Sequence, residues 1–339
     1  MATDSLHRAW RVHNALPGAI PRLDTVATPA CGPGEVRVRV RAFAISFVDL
    51  LLIEGGYQWK PPTPFVPGSE FSGVVEACGA GDTHGLHVGD PVCGVRQGAW
   101  AETLALPATA VHKLSATAMQ RAGADWDTEA SALMAPGATA LYALRERAQL
   151  RPSENLLVLG AAGAVGHAAV QVGKALGARV IAAASSPDKR AAAMAAGADV
   201  AVDSSSGAWK DEVKSLCGEP GVGVVFDPVG GDATDTAFRT LGWNGRHLVV
   251  GFTSGTIHAL KTNLAIVKGA SLIGVDYRQA AARDSSVTRQ VQADVLRLHA
   301  QGLVRPRIQE VLAPAQLAQA FAQVRRRETL GRVVIRLAP

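Results

Sequence analysis

The sequence predicts an α/β protein of two domains, one mainly β and one a Rossmann-type doubly wound parallel sheet. Three observations carry this reading. The chain has 339 residues, and a single hydrophobic core rarely grows beyond about 250–300 residues. Its first third alternates apolar and polar residues between turn signals, the texture of half-buried strands. From about Thr128 onward, short apolar runs alternate with helical stretches, as in β-α-β units on parallel strands. Apolar residues make up 48% of the chain and charged residues 19%, a balance that excludes wholesale disorder.

The mainly β texture runs from Trp10 to about Lys113. It includes the alternating stretch Glu35-Val36-Arg37-Val38-Arg39-Val40-Arg41 and turns at Pro33-Gly34, Pro61-Pro62, Pro67-Gly68 and Gly89-Asp90-Pro91. The parallel strands are expected at Asn155 to Leu159, Arg179 to Ala184, Asp199 to Val202, Val222 to Asp227 and Arg246 to Gly251. A further strand is expected near Leu272 to Val275, a helix from about Ser285 to Gln301 and a last strand from Arg332 to Leu337. No repeat or low-complexity tether interrupts these elements, so continuous helices are expected to join the domains.

Charge and cysteine usage narrow the function classes. The 34 basic and 29 acidic residues leave a net charge of +5. The basic residues are scattered, whereas nucleic-acid binders concentrate them; no nucleic-acid partner is expected. Cys31, Cys78, Cys93 and Cys217 contain no C-x-x-C pair, which points away from a zinc ribbon or disulfide framework and toward a reducing cytoplasm. The stretch from Met1 to Gly18 carries Asp4, His7, Arg8, Arg11 and His13 and lacks the apolar segment of a secretory signal. The longest apolar candidate, Leu156 to Gly173, is broken by four glycines, His167 and Gln171, so no membrane span is expected.

The strand Asn155 to Leu159 runs directly into Gly160-Ala161-Ala162-Gly163-Ala164-Val165-Gly166 and then an apolar helix to about Leu176. A strand, a glycine turn and a helix in this order let backbone N–H groups face a pyrophosphate. Gly160, Ala162, Gly163, Ala164, Val165 and Gly166 are therefore cofactor-binding candidates. The end of the second strand decides which dinucleotide, because NAD enzymes place there a carboxylate that accepts from the ribose 2′-OH. Here the strand ends in Ser185-Ser186-Pro187-Asp188-Lys189-Arg190. Ser185 can donate to a 2′-phosphate and Lys189 can neutralise it, which favours NADPH. Asp188 would reach the ribose if the turn were tight.

Ser46-Phe47-Val48-Asp49, Gly55-Gly56-Tyr57 and Pro64-Phe65-Val66-Pro67-Gly68-Ser69-Glu70-Phe71-Ser72-Gly73-Val74-Val75 follow one another in a telling order. So do Gly89-Asp90-Pro91-Val92, the turn at Gly160, Phe226-Asp227-Pro228-Val229-Gly230-Gly231 and Gly245-Arg246 to Gly251-Phe252. Together they resemble the zinc-independent NADPH:quinone oxidoreductases (zeta-crystallin-like) of the medium-chain dehydrogenase/reductase superfamily, over nearly the whole chain. The resemblance implies a partly closed, barrel-like catalytic domain built from both chain ends, residues 1–133 and 277–339, around a Rossmann domain at 134–276. It also implies that the three zinc-ligand positions of zinc-dependent relatives are Ser46, Ser69 and Ala135 here, and that the structural zinc lobe is absent at Gly98-Ala99-Trp100-Ala101-Glu102. Cys78, His84, His87 and Cys93 have the types of a zinc site without its close pairing; no metal is expected.

Without metal or catalytic triad, the expected chemistry is hydride transfer from NADPH to an acceptor that is already electrophilic, a quinone or conjugated enone. The resemblance makes Tyr57 the candidate donor to the acceptor oxygen and puts Ser46 where many members have asparagine. It places Thr139 beside the nicotinamide, Gly251, Phe252 and Asn263 on loops near the cofactor, and Arg327 on the adenosine 2′-phosphate. A family tyrosine flanking that phosphate corresponds to Ser204. Asp49, in an apolar stretch, needs partners, and a structural hydrogen bond to backbone is expected. The alternatives are a 2-enoyl thioester reductase, with Arg145, Arg147 and Arg278 meeting CoA phosphates, and a non-catalytic NADPH-binding protein. The strand Ser271-Leu272-Ile273-Gly274-Val275 presents an edge, so a homodimer is expected.

Overall fold

The computed structural model describes residues 5–327 and 329–338. The chain divides into two compact units, one from residues up to Ala135 together with those from Ile308, the other from Pro136 to Arg307. The first divide falls inside the helix Met134–Leu141, a continuous helical join as expected, whereas the second, after Arg307, falls in the irregular stretch 304–307 and not in a helix.

In the unit built from both chain ends, Glu35–Ile45 is the organising strand. Val36, Val38 and Val40 are buried while the intervening arginines are half-buried or exposed, as period-two patterning requires. Glu70–Cys78 pairs along one edge of it. The other edge is shared, with Thr103–Pro107 taking residues 35 to 39 and Arg332–Arg336 taking 42 to 45. Two register shifts against Glu70–Cys78 bend the strand, because bulges increase twist. The sheet thereby curls in the partly barrel-like way expected, with the C-terminal Ile308–Leu312 parallel to Arg332–Arg336 at its margin. Inside it, Phe43 and Trp100 stack at 5.4 Å between the rings, with Trp10 and Phe321 packed edge-on. Trp100, fully buried, fills the core from the short stretch at residues 98–102.

The second unit is a six-stranded parallel sheet in the order Val200–Asp203, Arg179–Ala184, Asn155–Leu159, Val222–Asp227, Leu241–Val249 and Ser271–Gly274. This is the doubly wound order whose switch point lies between Asn155–Leu159 and Val222–Asp227. The fifth strand begins at Leu241 rather than near Arg246. Gly242, Gly245 and Asn244, with φ of +58°, read as a turn, but Leu241 pairs with Val222 ahead of an irregularity in the ladder. The second domain divide also lies later than residue 276. Helices Tyr277–Arg283 and Ser285–Ala300 belong to this unit, held by Arg145 Nη1 to Asp294 Oδ2 at 2.7 Å and by Tyr142 against Tyr277.

Candidate active site

The parallel sheet makes a cradle at the carboxyl ends of its strands. Asn155–Leu159 is buried throughout and delivers the chain into Gly160, whose φ of +56° is left-handed, a conformation costly for any residue with a Cβ. Gly163 caps the helix Ala164–Ala175 with no side-chain hydrogen bond. The first-turn N–H groups of Ala164, Val165 and Gly166, which have no intrahelical acceptor, are thus left to an anion or solvent. A Cβ on Gly166 would lie 2.2 Å from the Gly160 carbonyl oxygen, so only glycine lets the helix start this close to the strand. Backbone donors without covering side chains fit a dinucleotide pyrophosphate.

Other candidates lie on loops following neighbouring strands. Ser185 is exposed beyond Ala184, and Ser186 caps the next helix by accepting from Lys189 N at 3.3 Å. Ser204 N donates to Ala184 O at 3.2 Å. Gly251 N donates to the Asp227 carbonyl at 3.3 Å, and Phe252 is partly exposed. Asn263 is an exposed first residue of the helix Asn263–Lys268, and Thr139 is half-buried within Met134–Leu141.

Two carboxylates here escaped the sequence reading. Asp227 is buried beneath the Pro228–Gly231 turn and accepts from Val229 N, Gly230 N and Thr234 Oγ1, with His247 Nε2 3.0 Å from Oδ2. Burial would raise its pKa, but these bonds outweigh it and hold the carboxyl below its ordinary value. Asp203 ends Val200–Asp203 as the register partner of Ala184 and pairs with Arg190 at 2.9 Å. The sequence pattern points only to the tip of the second strand for such an acid; sheet order brings this one from the third.

In the first unit, Ser46, Asp49, Ser69, Glu70, Ala135 and Arg332 form a closed set. Ser46 caps the helix Phe47–Ile53 in a capping box with Asp49. Asp49 is fully buried; Oδ2 accepts from Ser46 N at 2.8 Å and Ser46 Oγ at 2.7 Å, and Oδ1 from Ser69 Oγ at 2.6 Å. Burial raises the Asp49 pKa against the pull of those bonds. Glu70 pairs with buried Arg332 and accepts from Ala135 N at 2.8 Å. The hydroxyls of Ser46 and Ser69 thus spend their protons on Asp49, and Ala135 offers only backbone. This donor set does not fit a zinc ion. A hydroxyl has one proton, so Ser46 is also the candidate whose donor is already committed.

Tyr57 is half-buried, two residues past Gly55 at the exit of the same helix. A surface groove of about 480 Å³, lined among others by Leu16, Leu52, Gly55, Gly56 and Lys60, borders that turn. Arg327, in a left-handed conformation at the end of the helix Leu317–Arg326, holds its guanidinium 5.4 Å from the Phe47 ring centre, a cation–π distance. The zinc-like types elsewhere do not converge. His84 and His87 lie beside Asp82 and Asp90, and burial pushes the Cys93 thiol up to about 12. Among the described residues no group of three or more His, Cys, Asp or Glu is arranged to hold a metal.

Comparison with known proteins agrees with this geometry. Residues 164–295 match the zinc-binding dehydrogenase family and residues 32–116 the alcohol dehydrogenase GroES-like domain. The chain is 37% identical over 317 residues to quinone oxidoreductase-like protein 2 of Rattus norvegicus, covering 93% of this chain and 88% of that one. It superimposes on a probable oxidoreductase from Mycobacterium abscessus with a TM-score of 0.85 and 32% identity, over 98% of this chain and 100% of the other. The mycobacterial Rv1454c complexed with NADPH matches with a TM-score of 0.84 and 26% identity, over 97% and 99% of the two chains.

Proposed function

The chain belongs to the zinc-independent, quinone oxidoreductase-like family of medium-chain dehydrogenase/reductases, and from that premise we propose that it is an NADPH-dependent reductase of quinones or conjugated enones. The observation that carries the proposal is the commitment of Ser46 and Ser69 to Asp49: with both donating to it, no residue set among the described residues remains to polarise an alcohol through zinc. NADPH, when bound, supplies a hydride; the rest is the work of side chains and backbone. The first-turn N–H groups after Gly163 hold the pyrophosphate, and Ser185, Lys189, Ser204 and Arg327 are the proposed 2′-phosphate neighbours. Gly251, Phe252 and Asn263 are the proposed loop contacts, and Thr139 the proposed hydroxyl beside the nicotinamide. Tyr57 is the proposed donor to the oxygen on which charge develops.

The thioester reading loses support from two of the three arginines it needs. Arg145 is held between Glu146 and Asp294, and Arg147 donates to the Gly274 carbonyl. NADPH oxidation measured against ortho- and para-quinones, small enones and enoyl-CoA esters tests the proposal. Turnover of quinones or enones with little of the CoA esters is expected; turnover of none would return the chain to the non-catalytic binding alternative.

Ser271–Gly274 pairs on one edge only within its sheet, and Leu272 within it, like Ile266 and Val267 of the preceding helix, is more than half exposed. These features support a homodimer through this edge, and light scattering that reads a single chain's mass would refute it. A cytoplasmic location is supported by four free cysteines. No helix among the described residues is long and apolar enough to cross a membrane. Fractionation placing the chain outside the cytoplasm would reject that location.

A further inference from the structure

Cofactor choice turns on charge at the carboxyl ends of the second and third strands, where the structure places an ion pair that the glycine motif does not anticipate. Arg190, in the first helix turn after Ser186, reaches back so that Nη1 lies 2.9 Å from Asp203 Oδ2 and 3.4 Å from the Ala184 carbonyl. Asp203 Oδ1 is occupied separately, by Ser205 N at 2.9 Å and Ser205 Oγ at 2.6 Å. Ala184 and Asp203 are register partners on adjacent parallel strands, and Ser204 N donates to Ala184 O. The pair therefore bridges the two strand tips beside Ser185 and Ser204. Both residues keep substantial side-chain exposure, so a ligand can reach them.

We propose that the Arg190–Asp203 pair is a specificity device for the adenosine 2′-phosphate, in which Arg190 masks the Asp203 carboxylate and offers its own guanidinium to the phosphate. The proposal rests on the NADPH reading above. Without Arg190, a fixed carboxylate at this point repels a 2′-phosphate and accepts from ribose hydroxyls, which is how NAD is selected. With Arg190 in place, that charge is cancelled. Both observed contacts run through Nη1, and a guanidinium carries five N–H donors in a rigid fork suited to phosphate. Hydrogen bonds from Ser205, followed by the charge of Arg190, hold the Asp203 carboxyl below its ordinary pKa. The carboxylate is therefore charged at neutral pH, and unmasking it has consequences. Lys189 beside it adds a point charge; Arg190 adds geometry.

The two partners should then act in opposite directions, which a merely structural ion pair would not do. Calorimetric titration of the full chain with 2′,5′-ADP and with 5′-AMP reads this without turnover. Arg190→Met should weaken 2′,5′-ADP about 10- to 100-fold, the range of one or two charge-assisted bonds, while 5′-AMP changes little. Arg190→Lys, which keeps the charge and loses the fork, should fall between. Asp203→Asn should bind 2′,5′-ADP at least as tightly as the parent chain. Loss of 2′,5′-ADP binding in Asp203→Asn, or equal weakening of both nucleotides in Arg190→Met with an unchanged melting temperature, would overturn the proposal. If a variant fails to fold, Arg190→Lys decides: an affinity for 2′,5′-ADP equal to the parent's also overturns it. A parent chain that prefers 5′-AMP would instead overturn the NADPH reading, and the device with it.

Discussion

The surroundings of Asp49 and the turn from Gly160 to Gly166 are both dense in polar groups, yet they are built on opposite terms. Around Asp49 and Glu70 two hydroxyls and two backbone N–H groups converge on two buried carboxylates, and Arg332 pairs with Glu70 while its buried Nε finds no acceptor. At the glycine turn the first helical N–H groups are uncapped by any side chain, and the helix approaches so closely that a Cβ would strike backbone. Saturation is the signature of a structural node, since buried polar groups are costly unless paired. Donors left open in a shaped cradle are the signature of a binding site. One polar cluster can therefore serve as framework while another of similar density is shaped to bind a ligand.

The contrast is broken most severely by Gly166→Val. The added Cβ meets the Gly160 carbonyl oxygen at 2.2 Å, and the helix start must move. Dinucleotide affinity should fall by about 10³-fold or more, equivalent to roughly 4 kcal/mol, as read by titration of NADPH fluorescence. Affinity within tenfold of the parent would mean that the pyrophosphate is held elsewhere.

Arg332→Met tests the saturated side. Removing one partner of a buried pair strands the other charge and costs about 3–5 kcal/mol; urea denaturation should show that loss. Adding Glu70→Leu should recover part of it, because no buried charge is then left alone. A double variant as unstable as the sum of both single ones would show that the pair is not coupled.

Glu154 gives a smaller effect with a defined pH window. Burial would raise its pKa, but Arg246, at 2.8 and 2.9 Å, and Arg151 outweigh burial and bring it from 4.5 to about 2. A carboxylate depressed on folding stabilises above its unfolded pKa and loses that contribution as pH falls through the folded one. Up to about 3 kcal/mol should disappear between about pH 4.5 and pH 2. Glu154→Gln should flatten the stability curve in that window; an unchanged acid limb would show that the Arg246 contacts are not formed in solution.

How much of this the sequence disclosed depends on the range of the interactions. The glycine turn, the alternating Val36, Val38 and Val40 and most parallel strands are local patterns, and they were legible. The boundary after Arg307 was not, because it depends on side chains such as Arg145 and Asp294, 149 residues apart. Asp203 was missed for the same reason: its neighbour Ala184 is set by sheet order, not by spacing. Asp49 was expected to bond backbone, and it does so through Ser46 N. That Ser69 would complete its shell from 20 residues away could not be read from either segment alone.

The central claim is reduction by NADPH without a metal, and it is tested most directly on the purified chain by measuring zinc content together with quinone-dependent NADPH oxidation before and after chelation. Zinc far below one ion per chain and a rate that the chelator leaves unchanged are expected. A zinc ion held in every chain, whose removal abolishes turnover and whose return restores it, would contradict the claim.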